Sequence, residues 1–559
     1  MLWLGKRLLV SGACAGLAVL ISCSSREAGV ADLILTGGFV WDGVGAEMPK
    51  TEEPTAVAIS DGKVLAVGAD EEVEALAGRG TERLDLEGRR VVPGFIDAHT
   101  HFIDGGFELA SVQLRDADTP AEFVRRIGEF AAAHPDDWMI GGLWDHESWG
   151  GELPRRDWID SVTPNTPVLV SRLDAHMALA NSHALELAGV TADTPDPLGG
   201  TIVRYPDGRP TGILKDVASE LVSRVMPGRS EAARDEALHT AVQHAVQRGV
   251  TMIGDMGYWE GLETYRRAHS AGNLPIRVYS VVQIDGRDRM KAFIEEHGQG
   301  DHRLFWGGVK AFVDGSLGST TAWFYDPYVD EPETSGLMVS DTAELRNAIV
   351  EADAAGLQVI VHAIGDKAND WLLDVYAEAR ELNGERDRRA RIEHAQHLSV
   401  AAIPRFGAEG VIPSMQPYHA ADDGRWAIRR LGPERIKRSY VFRDLLDGGA
   451  RLAFGSDWTV ALIDPLLGIH AAVTRRTLDG ENPDGWLPEQ KISVAEAVAG
   501  YTTGAAYACF MEDFVGTLEP GKYADLVVLS DDIFTIDPVE IDDVKVDLTM
   551  VEGEVVFRR

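Results

Sequence analysis

The sequence predicts an α/β fold in which a (β/α)8 TIM barrel is joined to a small β-domain. The chain has 559 residues, of which 45% are hydrophobic. This is enough for one barrel of roughly 250 to 400 residues and a smaller domain. Strand-like and helix-like segments alternate through the middle of the chain, which is typical of a parallel sheet. Short alternating strands with Gly and Asp-Gly turns lie near both ends, which indicates a second domain built from both chain ends.

Eight short apolar segments are the candidate barrel strands. Helical stretches separate most of them, including residues 341–355, 369–383 and 433–448. The candidate strands are residues 91–97, 250–255, 276–282, 308–313, 358–362, 390–394, 410–415 and 452–457.

The connection after the first candidate strand is far longer than an ordinary βα loop. We therefore expect an inserted subdomain at about residues 107–225, over the mouth of the barrel. The barrel with its insert is expected over residues 93–505, and the β-domain over residues 32–92 and 506–559.

The first residues have the pattern of a bacterial lipoprotein signal peptide. Lys6 and Arg7 precede an apolar run, residues 8–21, that is too short to span a bilayer comfortably. The run leads into the tetrapeptide LISC, which ends at Cys23. We predict a signal peptide over residues 1–22, lipid on Cys23 and a tether over residues 23–31. The chain would then be anchored in the cell envelope facing the periplasm, with the outer membrane favoured; a plain signal peptide or a short anchor helix is the alternative.

Charge and cysteine content exclude several classes of partner. The formal net charge is −36, from 89 acidic and 53 basic residues. Such a surface repels polyanions, so we expect no nucleic acid partner and a small-molecule substrate instead. A homo-oligomer is compatible with the sequence. Cys509 is the one cysteine outside the predicted signal peptide and lipid site, which excludes an internal disulfide and a cysteine metal cluster.

Two histidines follow the first candidate strand, in the segment VVPGFIDAHTHF. In extended backbone, residues i and i+2 point to the same side, so His99 and His101 converge. They do so at the carboxyl end of the strand, where barrel enzymes place their chemistry. An isolated H-x-H is weak evidence, but its position after a buried strand favours a metal site.

Other potential ligands end separate apolar strands. His362 ends LQVIVH, His394 ends RARIEH and Asp457 ends ARLAFGSD, while Lys310 lies within WGGVKAF. Any one of these residues alone would more often be structural. The carboxyl ends of barrel strands meet at one rim, so the set together indicates a metal centre.

These motifs resemble the amidohydrolase superfamily, and within it the amidohydrolase family 3 group. The similarity covers residues 32–556 and includes PGFIDAHTHF, VKAFVDGSLGSTTAW, VHAIGDKA, RIEHAQ, FGSDW and GTLEPGKYADLVVL. The resemblance implies a β-sandwich fused to a distorted (β/α)8 barrel that holds two divalent metal ions. Imidazole and oxygen ligands suit zinc, with manganese, iron and cobalt as alternatives.

The resemblance also implies which residues hold each ion. His99 and His101 would hold the more buried ion together with Asp457. His362 and His394 would hold the second ion.

Lys310 matches the family position that bridges the two ions as a carbamate formed with CO2. A free ammonium has hydrogen-bond donors only and cannot bind a cation, whereas a carbamate offers two oxygens. An ordinary lysine beside a single ion is the alternative.

The predicted reaction is hydrolysis of a non-peptide C–N bond in an amide, N-acyl, N-formyl or cyclic amide compound. A metal-bridging hydroxide would attack the carbonyl carbon, and Asp457 would carry the proton to the leaving nitrogen. Two alternatives stay open. One is another metal-dependent reaction on this scaffold, such as ester or phosphoester hydrolysis or isomerisation; the other is a non-catalytic lipoprotein that binds a ligand.

Several polar residues are candidates for contacts beyond the metal ions. The resemblance places His176, in SRLDAHMAL, within the insert facing the substrate. His419 and Asp422 follow the seventh candidate strand and are further candidates for the substrate pocket. For His397 we expect a supporting or surface role, and for Asp314 the orientation of Lys310 or a loop, or a tight turn.

Overall fold

The computed structural model of the chain describes residues 29–49, 52–135 and 137–559. The predicted signal peptide, the lipid site at Cys23 and most of the predicted tether lie outside these ranges, so they stay predictions. Among the described residues, no helix combines the length and the hydropathy needed to cross a bilayer.

An eight-stranded parallel sheet forms a nearly closed barrel, which confirms the predicted α/β barrel fold. Each strand pairs with the next one along the chain, and a bridge between Thr100 and Trp458 joins the last strand region to the first. The strands, numbered in chain order, are Phe95–Thr100 (β1), Val250–Met256 (β2), Arg277–Gln283 (β3), Leu304–Phe312 (β4), Gln358–Ala363 (β5), Arg391–His394 (β6), Ile412–Met415 (β7) and Ala453–Phe454 (β8).

Helices cover the outside of the barrel because each one has an apolar face. In Thr342–Ala354, for example, Leu345 and Ile349 are buried, and the Asp341 carboxylate accepts hydrogen bonds from the first backbone N–H groups. The helices that accompany the barrel are Glu231–Val246, Trp259–Ser270, Arg287–His297, Thr342–Ala354, Asp366–Asn383, Ile403–Glu409, Pro417–Asp423, Ala427–Arg435, Phe442–Asp447, Pro465–Thr474, Val494–Ala499 and Ala505–Ala508.

The prediction of one strand over residues 91–97 is wrong, because the chain changes sheets there. Arg90–Pro93 pairs antiparallel with Leu526–Leu529 in the β-domain, and β1 begins only at Phe95. Gly94 lies between the two strands, and a Cβ at this position would lie 2.3 Å from the Thr251 side chain. The turn between the two domains therefore requires glycine.

The predicted helix over residues 433–448 is also wrong. The structure has two helices here, Ala427–Arg435 and Phe442–Asp447. Between them Tyr440 has φ 51°. Its backbone N–H donates to the Gln396 carbonyl at 2.7 Å, and its hydroxyl donates to the Asp423 carboxylate at 2.6 Å. These bonds hold the chain in a turn where periodicity alone suggests a helix.

A five-stranded sheet makes up most of the long connection after β1. Buried Phe123, Ile127 and Trp144 form part of its own apolar core. In spatial order its strands are Gly200–Arg204, Pro210–Asp216, Met177–Ala180, Val168–Arg172 and Met139–Trp144. The accompanying helices are Phe102–Glu108, Pro120–Ala133, Arg156–Ile159, Ser182–Leu187 and Glu220–Ser223.

The β-rich second domain contains strands from both ends of the chain, in two packed sheets. Buried Leu35, Val57, Val91, Leu526 and Leu548 belong to one apolar cluster between the sheets. One sheet has the order Lys63–Gly68, Ala56–Ser60, Ala31–Thr36, Ala77–Asp85; the other has the order Phe39–Val40, Arg90–Pro93, Leu526–Leu529, Val546–Val551, Glu554–Arg558. A short helix, Asp70–Glu74, precedes the last strand of the first sheet.

Two predicted boundaries differ from the observed elements. Residue 506 falls within helix Ala505–Ala508, which packs against the barrel-strand residues Ile96 and Met252. At the other end, the predicted tether overlaps strand Ala31–Thr36 by one residue.

A buried ion pair joins the barrel to the second domain. Arg277, the first residue of β3, is fully buried and donates from Nε and Nη2 to the Asp525 carboxylate at 2.7 and 2.9 Å. We expect Arg277→Met to lower the free energy of unfolding by about 3–5 kcal/mol, because it leaves the Asp525 charge buried and unpaired. Urea denaturation measures this loss.

The exposed pair Arg289 and Glu263, 3.3 Å apart, is the matched control. Arg289→Met should cost less than about 1 kcal/mol, since water screens this pair. Equal losses for the two variants would contradict the structural role of the buried pair.

Candidate metal centre

All six predicted ligands line one cavity of about 400 Å³ at the carboxyl end of the barrel. Five of the side chains are buried, and His101 is partly exposed. Strands β1, β4, β5 and β6 each contain one of the six residues, one residue follows β1 and one follows β8. The six are His99, His101, Lys310, His362, His394 and Asp457.

Three of these residues form a cluster with the dimensions of a cation site. One ligand atom each from His99, His394 and Asp457 lies within 4.8 Å of the other two. The Nε2 atoms of His99 and His101 are each 3.4 Å from Asp457 Oδ1. Two ligand atoms on a tetrahedral zinc ion lie roughly 3.4 Å apart, since each is about 2.0–2.1 Å from the metal. The spacing and the chemistry of the donors therefore fit a divalent cation.

A buried carboxylate orients His99. Glu393 Oε2 accepts from His99 Nδ1 at 2.5 Å, and the same carboxylate pairs with Arg391 at 2.8 Å. Although burial opposes ionisation, the charge of Arg391 and the hydrogen bond from His99 hold the pKa of Glu393 well below its usual value. Because Nδ1 carries the shared proton, Nε2 of His99 is left as a metal-binding lone pair.

His394 is oriented in a similar way. Its Nδ1 lies 2.8 Å from Gln416 Oε1, which leaves Nε2 for a metal ion. His394 and Asp457 also have positive φ values, 75° and 55°. Such conformations cost of order 1–3 kcal/mol for residues other than glycine and cluster at functional sites.

Burial keeps the cluster's imidazoles in the neutral, metal-binding form. Burial is the main cause that lowers the pKa of His99 to about 4, and the charge of Lys310 lowers it further. Burial likewise lowers the pKa values of His362 and His394 well below the usual value. These side chains are therefore neutral imidazoles, the form that can bind a metal ion, at neutral pH.

Lys310 lies against the cluster with an unusually acidic ammonium group. Its Nζ is 3.2 Å from His99 Nε2. Burial lowers the pKa of Lys310 to about 8. A substantial share of the side chain is thus free amine at mildly alkaline pH.

His362 lies beside the cluster but has a different partner. Its ring centroid is 4.4 Å from that of His394, while its Nε2 is 3.1 Å from the Gly315 carbonyl oxygen. Asp314 fixes this loop by accepting backbone N–H groups of Trp323 and Gly365 at 2.7 and 2.9 Å. Of the roles considered for Asp314, holding a loop in place is the one that agrees with these hydrogen bonds.

The cavity continues into a small lobe of about 50 Å³. His176 lines both spaces, and its ring centroid is 5.0 Å from that of His362. His419 and Asp422 line the lobe, where the His419 ring stacks at 6.3 Å from His394. All three predicted substrate residues therefore line the lobe, as His394 and Asp457 of the cluster do.

Comparison with known proteins agrees with this architecture. A sequence profile described as "Amidohydrolase family" matches residues 82–557. The chain belongs to the amidohydrolase family.

Similar members of the family include curated proteins and a solved structure. Protein LONG AFTER FAR-RED 3 of Arabidopsis thaliana is 43% identical over 90% of this chain and 87% of its own length. N-substituted formamide deformylase of Arthrobacter pascens is 31% identical over 90% of this chain and 95% of its own length. An uncharacterized metal-dependent hydrolase from Pyrococcus horikoshii superposes with a TM-score of 0.72 at 30% identity, over 90% of this chain and 99% of that one.

Sequence reasoning missed three residues that hold the candidate ligands of this amidohydrolase in position. Glu393 and Arg391 are charged residues at alternate positions of a buried strand, and this pattern could have identified them. Gln416, which follows β7, carries no comparable signal in the sequence.

His397, in contrast, is buried away from the cluster and bonds through Nδ1 to the Ser439 hydroxyl at 2.8 Å. Burial, followed by the charge of Arg435, lowers its pKa from 6.5 to about 3. Below pH 6.5 the unfolded chain binds a proton that the folded chain excludes until about pH 3, so the free energy of unfolding decreases as the pH is lowered through this window. We expect His397→Gln to reduce this slope by about 1.4 kcal/mol per pH unit. Urea titrations across the window measure the slope.

His239→Gln, on the exposed side of helix Glu231–Val246, is the control and should leave the slope unchanged. If both variants kept the parent's slope, His397 would not be the group that titrates.

Proposed function

We propose that this protein is a metal-dependent hydrolase that cleaves a non-peptide C–N bond of an amide, N-acyl, N-formyl or cyclic amide compound. The observation that carries the proposal is the cluster of His99, His394 and Asp457, with its ligand atoms within 4.8 Å of one another, at the mouth of the barrel. The similarity to N-substituted formamide deformylase supports the amide bond as the target.

Bound divalent cations would supply a water of lowered pKa and polarise the substrate carbonyl. Asp457 accepts the proton of the attacking water and passes it to the leaving nitrogen. Although burial opposes ionisation, the neighbouring His99 and the hydrogen bond from His101 hold the pKa of Asp457 well below its usual value, so this side chain begins the reaction as a carboxylate with a free lone pair. Glu393 and Gln416 keep the imidazoles of His99 and His394 in position throughout.

The proposed site holds two ions, with zinc favoured, and a carbamate on Lys310. The free amine of Lys310 attacks the carbon of CO2, a C–N bond forms, one proton is released, and the two oxygens carry the negative charge. Burial of the ammonium supports this step, because it lowers the pKa of Lys310 to about 8 and so exposes the reactive lone pair. The position of Nζ, 3.2 Å from His99 Nε2, would place the new oxygens beside the cluster. NMR of the protein with isotope-labelled bicarbonate tests for the adduct, which Lys310→Ala should lack.

A substrate panel tests the reaction itself. The protein is stripped with a chelator and reloaded separately with zinc, manganese, cobalt or iron. It is then incubated with N-formyl and N-acyl amines, lactams, and esters and phosphoesters of matched shape. We expect amine release that depends on the metal. Product formation from the esters or phosphoesters alone, or full activity after chelation, would contradict the proposal.

A further inference from the structure

One helix forms part of the cavity wall and leads away from the ligand cluster. Helix Phe102–Glu108 begins directly after His101. His101, Asp104 and Glu108 follow one another at spacings of three and four residues, which places them on one face of the helix, and all three line the cavity. At a rise of 1.5 Å per residue, the Cα atoms of His101 and Glu108 are roughly 10 Å apart. The far end of a substrate bound at the cluster therefore lies near Glu108.

Glu108 differs from the other carboxylates of the cavity wall in having no cation beside it. Asp104 accepts a hydrogen bond from the Arg229 guanidinium. Asp174 pairs with Arg172 Nη1 at 2.7 Å. Within the described part of the chain, the half-buried Glu108 takes part in no ion pair. It is thus the carboxylate outside the ligand cluster that could accept a positive charge from a bound molecule.

Two guanidinium groups act on Glu108 from a distance and have other contacts. Arg115 donates to the Thr459 carbonyl oxygen, and Arg229 lies over the Phe107 ring, 3.8 Å from its centroid. Burial outweighs their charges and raises the pKa of Glu108 to about 7. The carboxylate therefore lacks positive charge nearby, and a cation that entered the cavity would stabilise its ionised form.

The insert strand Met139–Trp144 is distorted where it meets Glu108. The Gly142 backbone N–H donates to Glu108 Oε1 at 3.0 Å. Gly141, Gly142 and Leu143 have φ values of 80°, 95° and 55°, and a positive φ is strained for leucine. A Cβ at Gly141 would lie 2.2 Å from Glu108 Oε2, so this close approach requires glycine. The insert is therefore shaped around the carboxylate and fixes its place in the cavity wall.

The rest of the protein also favours a positively charged ligand. The net charge of −36 attracts cations to the surface and repels anions. Tyr258, which is 58% exposed, lines the same cavity, and aromatic faces attract ammonium groups.

We propose that Glu108 is a specificity-determining residue that binds a protonated amine of the substrate, so that the enzyme prefers amides whose far end carries an alkylammonium group. This inference rests on the proposed amide hydrolysis. The ammonium group donates hydrogen bonds to the Glu108 carboxylate and supplies the positive charge that this carboxylate lacks. Because Glu108 lies away from the bond that is cleaved, the contact acts mainly on KM and leaves kcat nearly unchanged.

The experiment compares substrates that differ only in the charge of their far end, with the metal-loaded full-length enzyme. One series consists of monoacetylated α,ω-diaminoalkanes with two to eight carbon atoms; the other consists of ω-aminoacyl benzylamides, which carry the ammonium group on the acyl side. Each amine is paired with analogues that end in a methyl group or a carboxylate. At pH 8 Glu108 is largely ionised, and an alkyl amine with a pKa of about 10.4 is still protonated.

We expect one series to show a preferred spacer length, at which kcat/KM for the amine exceeds that for the methyl analogue by about 10- to 100-fold. The carboxylate analogue should be the poorest substrate. Glu108→Gln should raise KM for the amine by about 10- to 100-fold, while kcat and the KM of the methyl analogue stay within about threefold of the parent values.

Two further variants separate recognition of charge from a structural effect. Glu108→Asp keeps the charge on a shorter side chain, so it should keep the preference for amines and lengthen the preferred spacer by about one carbon atom. Glu236→Gln, on the exposed side of helix Glu231–Val246 and outside the lining of the cavity, is the matched control and should behave as the parent does.

Equal kcat/KM for amine and methyl analogues in the parent would overturn the inference and leave the hydrolase assignment standing, and this comparison requires no variant to fold. A preference for amines that Glu108→Gln retains would overturn it as well. If no amide of either series is hydrolysed, the proposed function is contradicted, and calorimetry with hexylammonium chloride tests the cation site alone. Binding that Glu108→Gln weakens tenfold or more would support this site, and absence of binding to the parent would overturn it.

Discussion

Replacing Asp457 by asparagine is expected to lower kcat by about 10² to 10⁴-fold while the fold stays intact. Asparagine has nearly the same shape as aspartate, but its amide cannot accept the proton of the attacking water. Asp457 Oδ1 lies 3.4 Å from the Nε2 atoms of both His99 and His101, so its charge also belongs to the ligand cluster. The measurement is kcat on the best substrate of the amide panel, with the melting temperature recorded in parallel.

Asp285→Asn is the control for this variant, because Asp285 is an exposed aspartate away from both lobe and cavity. Its kcat should equal that of the parent. If Asp457→Asn kept kcat within about threefold of the parent, a proton-transfer role for Asp457 would be excluded.

The His99→Ala variant is expected to bind its metal about a hundredfold more weakly. A zinc site with four protein ligands contributes about 10–16 kcal/mol, so an even share for one ligand is roughly 3 kcal/mol. His99 is fully buried, and alanine supplies no ligand atom in its place. Metal content after purification and competition with a chromogenic chelator both measure this loss.

Two further variants make the metal prediction specific. Glu393→Gln should weaken binding by about 10- to 100-fold, because the amide holds the His99 imidazole less firmly. His239→Ala, on an exposed helix face, should bind metal as the parent does. Metal content in His99→Ala equal to that of the parent would show that the ion is held elsewhere.

The sequence allowed the ligand cluster to be predicted because each candidate follows an apolar strand. His362 lies at the end of a strand that is recognisable by its branched residues, His394 ends another short strand, and parallel strands bring such ends together at one rim. The barrel and the β-rich domain could be predicted for the same reason, since their strands alternate or run apolar over several residues.

Other features depend on contacts between distant segments and left no pattern in the sequence. The strand change at Gly94 follows from the close approach of Thr251, and the turn at Tyr440 follows from bonds to Gln396 and Asp423. Trp426 lies just before helix Ala427–Arg435, where periodicity does not distinguish a core residue from one that lines the lobe.

The central claim is that the buried histidines and Asp457 hold a divalent metal ion at the barrel mouth. Anomalous diffraction from crystals of the purified protein, recorded on both sides of the zinc absorption edge, tests it most directly. The account predicts a strong peak within bonding distance of His99, His394 and Asp457. Crystals of the zinc-loaded protein with no peak there, or with the ion bound at another place, would contradict it.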